Sequence, residues 1–153
     1  MRTATIHEIK RALEHKNNQE LIAFCTRLSK FKKENKELIT FLLFEEDDIA
    51  NYIENIKRDM ILLFEAISPI HIYYVKKSVR KILRLVNKHI RITGSKAAEA
   101  ELLIQFCNSL KALPGASFRH KQINKIYETQ IGKIELAISS LHPDLQYDLR
   151  KKL

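Results

Sequence analysis

Between Ser68 and Gly94, apolar residues return at steps of three and four: Ile72, Val75, Val79, Ile82, Leu83, Val86 and Ile90. That spacing marks one face of a long amphipathic helix. Ser68 and Pro69 read as its start, a hydroxyl cap followed by a residue whose fixed φ suits the first helical position. Thr93 and Gly94 read as its stop, because glycine accepts the left-handed conformation that ends helices. About 24 residues at ~1.5 Å each make a rod of roughly 36 Å, long enough to cross a small domain. Such a rod needs other helices against which to bury its stripe. The rest of the chain supplies them: three Gly and three Pro in 153 residues are too few for the turns of a β-rich fold. The expected fold is all-α, with seven or eight antiparallel helices in a single domain 1–153. They would pack as an irregular bundle or a HEAT/armadillo-like superhelix.

The far face of the rod is cationic. With Val79 as zero and about 100° per residue, Lys77, Arg80, Lys81, Arg84, Lys88 and Arg91 fall in one arc, and Lys76 lies at its edge. No Asp or Glu occurs between Glu65 and Glu99, and the whole chain carries a formal net charge of +9. Charged helix faces are most often simply solvated. The sharper reading is a landing strip for phosphates or for an acidic protein surface. Glu45-Glu46-Asp47-Asp48 bears on the choice. An antiparallel hairpin folded at Ser68-Pro69 would bring Glu45 and Asp47 near Arg91 and Lys88, and would neutralise part of the strip.

Elsewhere the helices announce themselves by caps and stripes. Thr5-Ile6-His7-Glu8 has capping-box spacing ahead of Ile9 and Leu13. Asn17 or Asn18, with Glu20, restarts the chain into a helix carrying Leu21, Phe24, Cys25, Leu28 and Phe31. A polar link at 32–36 leads to Leu38, Ile39, Phe41, Leu42 and Phe44, a segment apolar around most of its circumference and so expected to be central. The four acids before Ile49 read as helix-start charges rather than a cation site, since neither a loop glycine nor a later glutamate stands at binding-loop spacing. Ser95 caps a sixth helix, and Leu113 to Ser117 is the clear loop. A seventh helix is expected from about Arg119 to Leu141, its stripe starting at Ile123, with Gly132 inside it attributed to a close crossing or a mild bend. His142-Pro143-Asp144 opens a short last helix.

Chemistry is sparse. The six histidines (His7, His15, His71, His89, His120, His142) have no ligand spacing, and each reads as a surface or cap residue. His89, beside Lys88 and Arg91, is the one that could join an anion site. Gly-rich phosphate loops, His-Glu-x-x-His and nucleophile elbows are all missing, so no enzyme, metal or cofactor is expected. Cys25 and Cys107 sit on apolar stripes and are expected as buried free thiols. Residues 1–10 lack the apolar run of a signal peptide, and no stretch is long enough to span a bilayer, which gives a cytoplasmic expectation with no membrane partner. Tyr73 and Tyr74 near the basic residues, and Phe118 and Tyr127 near Arg119, Lys121 and Lys125, are the aromatic–basic pairings that single-strand binding would use. The commoner role of such rings is packing over a core edge.

Several segments fall in an order that resembles a family of small bacterial all-helical proteins without an assigned function. The carriers are Glu20-Leu21-Ile22 with Leu28, Asn35-Lys36-Glu37-Leu38-Ile39 with Phe41-Leu42-Leu43, Glu46-Asp47-Asp48, Ile53 to Met60, Val75-Lys76-Lys77-Ser78-Val79, and Leu141-His142-Pro143-Asp144-Leu145. The resemblance implies an irregular helical array and transfers no site residues. The expected function is a non-enzymatic interaction module that binds another protein, or itself, through a helical face. The alternative is sequence-nonspecific binding of a nucleic-acid phosphate backbone through the basic helix 69–92.

Overall fold

A computed structural model describes residues 2–153 of the chain. They form nine α-helices, a single 3-10 turn and no β-strand. The eight helices expected from the sequence are all present, and a one-turn helix lies where a loop was expected. The chain forms two compact units, the first ending at Glu45 and the second spanning Glu46–Leu153.

The first unit holds α1 (Ile6–Glu14), α2 (Asn18–Phe31) and α3 (Lys33–Phe44). Its first two helices are set by local chemistry. The Thr5 hydroxyl accepts from the Glu8 amide while the Glu8 carboxylate accepts from the Thr5 amide at 2.8 Å. Asn17 and Glu20 repeat the exchange at the start of α2. The expected polar link at 32–36 shrinks to one extended residue, Lys32, and the polar residues after it form the first turns of α3. Asn35 donates its side-chain amide to the Leu28 carbonyl at 2.9 Å, which satisfies an acceptor at the end of α2 and fixes the α2–α3 corner. Phe41 is the one buried side chain among the unit's described residues, while Leu42, Leu43 and Phe44 remain exposed. Apolar circumference did not make α3 central, because a central position needs helices on every side.

In the second unit that position belongs to α6 (Lys96–Lys111). Around it stand α4 (Ile49–Glu65), α5 (Ile72–Thr93) and α8 (Lys121–Ser139), each packed on it. Leu102, Leu103 and Ile104 are consecutive, so they point about 100° apart, yet all three are buried, as are Phe106, Cys107 and Leu110. Ala98 and Ala100, both fully buried, keep the first turns narrow enough for neighbours to approach. Phe64 of α4 meets Phe106 edge-to-face at 5.4 Å. Lys57 of α4 bridges Glu54 of its own helix and Glu101 of α6, each at 2.7 Å. Burial works to lower the Lys57 pKa, but hydrogen bonds and charge from the two carboxylates outweigh it and hold the ammonium above its ordinary range.

The remaining elements close the unit. α7 (Gly115–Phe118) is the extra turn inside the expected loop, and α9 (Pro143–Arg150) packs on α8 and buries Leu149. Asn108 and Lys111 of α6 donate to the Lys152 and Leu153 carbonyls at 2.9 Å each, which ties the segment after α9 to the central helix. Gly132 has open space around it within an unbroken α8, so close crossing is not its role.

Candidate functional site: the cationic face of α5

α5 begins three residues later than Ser68-Pro69 suggests. Pro69 and Ile70 form a turn, the other local structure that an Xaa-Pro pair favours. The Tyr74 and Val75 amides then start the helix by donating to the His71 carbonyl. Gly94 ends it with φ of +60°, its amide bonded to the Ile90 carbonyl at 3.1 Å. Val75, Val79, Ile82, Val86 and Ile92 are buried, which orients the opposite face outward.

On that face the structure brings the six expected cations together along one helix. Lys77, Arg80, Lys81, Arg84 and Arg91 are exposed, and Lys88 is half-buried. Among the described residues, none of those five exposed cations takes part in an ion pair. Asp47, among the described residues, makes no ion pair with any of those five cations. Asp48 instead caps α4, accepting from the Asn51 amide at 3.2 Å, and Glu46, Asp47 and Asp48 form a 3-10 turn without an ion pair. The α4–α5 neighbours are still antiparallel. Tyr52 near the start of α4 shares a 2.7 Å hydrogen bond with Nδ1 of His89 near the end of α5. That bond draws the His89 ring toward α4 and away from the ridge.

Two grooves flank the ridge. One, of about 580 Å³, is lined by Tyr73, Lys76, Lys77, Arg80, Leu83, Arg84 and Asn87 of α5 with Ile126 of α8. The other, of about 380 Å³, lies between Leu63 of α4 and Lys81, Ile82, Arg84, Leu85 and Lys88. Arg84 borders both. The aromatic residues separate into two kinds. Tyr73 and Tyr74 are exposed and meet edge-on at 5.4 Å. Phe118 and Tyr127 are half-buried against each other, with Lys111 over the Tyr127 ring, so they cover the core edge.

The other chemistry-bearing residues are accounted for structurally. His120 and His142 act as helix caps, their Nδ1 atoms accepting from the Gln122 and Asp144 amides. Cys107 is fully buried, and desolvation pushes its thiol up to about 12, with Lys111 pulling weakly the other way. Cys25, expected to be buried, is exposed. Among the described residues, no group of His, Cys, Asp and Glu is placed to hold a metal ion, and no helix is long and apolar enough to cross a membrane.

No family model, curated protein or solved structure matches this chain.

What the sequence missed is the surface of the first unit. Eleven large apolar side chains of α1–α3 stay exposed, among them Ile6, Ile22, Phe31, Leu43 and Phe44. Their stripes were legible as helix faces, but a stripe alone does not show whether another element lies over it.

Proposed function

We propose that the protein is a non-enzymatic interaction module that binds another protein chain, or a second copy of itself, through a helical face of its first unit. One observation carries this reading: eleven large apolar side chains of α1–α3 face solvent. Phe31 is 76% exposed, Leu43 67% and Phe44 78%. Covering a side chain of this size contributes roughly 1.5–3 kcal/mol. At roughly 100 Å² apiece for half-exposed rings and aliphatic groups, eleven leave about 1,100 Å². A standard interface takes ~800 Å² per partner, so not all eleven need lie on one side. Exposed apolar area on this scale marks an interaction surface more often than inert exterior. Glu8, Lys10, Arg11 and Glu14 mix both signs along α1, the polar rim a reversible interface uses.

Sedimentation velocity over a wide concentration range tests the reading, with a triple variant, Phe31→Ser, Leu43→Ser and Phe44→Ser, as the comparison. Association that grows with concentration and vanishes in the variant supports a second copy as the partner. A chain that stays monomeric, and whose cross-linked partners in its source cells are the same with and without the three substitutions, overturns it.

A further inference from the structure

We propose that the groove beside α5 binds single-stranded nucleic acid, with phosphates on Lys76, Lys77, Arg80 and Arg84 and a base stacked on Tyr73. The site belongs to the second unit and does not depend on the apolar surface of α1–α3. Four cations line its wall and no carboxylate does. From Lys76 and Lys77 to Arg80 to Arg84 the cationic positions advance one turn at a time, about 5–6 Å per step. That repeat suits successive phosphates of an extended strand. Between the cations the lining turns apolar, with Leu83 of α5 and Ile126 of α8 half-buried where a sugar or base would lie.

The groove also has features that an acidic peptide would not use. Tyr73 stands at its edge, 64% exposed, and meets Tyr74 edge-on, an arrangement that leaves a ring face open. Base–aromatic stacking contributes roughly 1–3 kcal/mol and tolerates any base. Asn87 adds an amide that can both donate to and accept from a base edge. A duplex presents phosphates but buries its base faces, so it would touch the cationic ridge without reaching Tyr73. The site is therefore a single-strand site with little sequence preference.

Fluorescence anisotropy of the intact chain with a labelled oligothymidylate, and with a duplex of equal length, tests this at two salt concentrations. The expected result is binding to the single strand that weakens steeply with salt. Arg80→Gln with Arg84→Gln should lower affinity about 10- to 100-fold and flatten the log–log salt slope by about 1.4, two contacts at ~0.7 each. Tyr73→Ala should weaken the single strand about 5- to 150-fold and leave any duplex binding unchanged. Lys133→Gln, an exposed cation on α8 outside the groove, should change neither. The proposal is overturned by any of three results: no binding at low salt, a Tyr73→Ala variant that binds the single strand as well as the parent, or displacement by polyglutamate as effective as by unlabelled oligonucleotide. The last would assign the groove to an acidic protein.

Discussion

The two units of this chain secure their helices by different means. In residues 46–153, twenty-two apolar side chains are buried and α6 is covered by three neighbours. In residues 2–45, one side chain is buried, and the most regular interactions are capping boxes at the starts of α1 and α2. Caps fix where a helix begins and contribute about 1 kcal/mol each. They do not supply the burial that offsets chain entropy. The difference teaches that local specification and cohesive energy are separable, and that a well-specified helix can still carry an unfilled apolar face.

The sharpest way to break the comparison is thiol labelling. At pH 8 a thiol with a pKa of about 12 is ionised in roughly one molecule in 10,000, and Cys107 is also fully enclosed. Cys25 should react with an alkylating reagent within minutes, and Cys107 only in denaturant. Equal rates, read by mass spectrometry, would show that the second unit opens as readily as the first. Next in size is core truncation. Phe106→Ala should cost about 3–5 kcal/mol in urea unfolding, because it removes a buried ring packed edge-to-face against Phe64. Phe31→Ala should stay within about 0.5 kcal/mol of the parent.

Acid should separate the units in the opposite direction. The backbone hydrogen bond from Thr5 holds the Glu8 carboxyl below its usual value of 4.5, and that from Asn17 does the same for Glu20. A lowered folded-state pKa means that the stabilisation is present above 4.5 and is lost as pH falls through and below that value. Amide protection, taken relative to the intrinsic exchange rate at each pH, should therefore fall in α1 and α2 before it does in α6, whose start is capped by the Ser95 hydroxyl. A uniform loss of protection across both units would contradict this. Two glycines give effects well below that of the core truncation. Gly132→Ala fills open space on a regular helix and should add about 1 kcal/mol of stability. Gly94→Ala forces a side chain into φ of +60° and should lose about as much.

Much of the fold was legible because it was written in short-range chemistry. The Thr5/Glu8 and Asn17/Glu20 boxes, the Ser95 cap, Pro143 and the Gly94 stop each act within a few residues, so spacing reveals them. The cationic face of α5 was legible for the same reason. What spacing could not show was which element would lie over which face. The apolar girth of α3 looked central, yet α6 took that place with Ala98, Ala100 and a less regular stripe. Cys25 and Cys107 looked alike on their stripes, but one has neighbours over it and the other does not. Ser68-Pro69 fitted both a helix start and a turn, and only the hydrogen bonds to the His71 carbonyl separate the two.

The late position of α6 in the chain sets a timetable for synthesis. α4 and α5 leave the ribosome first with their aliphatic stripes facing water, and the helix that will cover both is complete only when Lys111 has been added. At ~5–20 residues per second the stretch from Thr93 to Lys111 takes roughly one to four seconds, so α6 trails α5 out of the ribosome by that interval. Through it the nascent hairpin exposes an apolar face, and the arginines and lysines on the outer side of α5 would repel a second hairpin of the same kind.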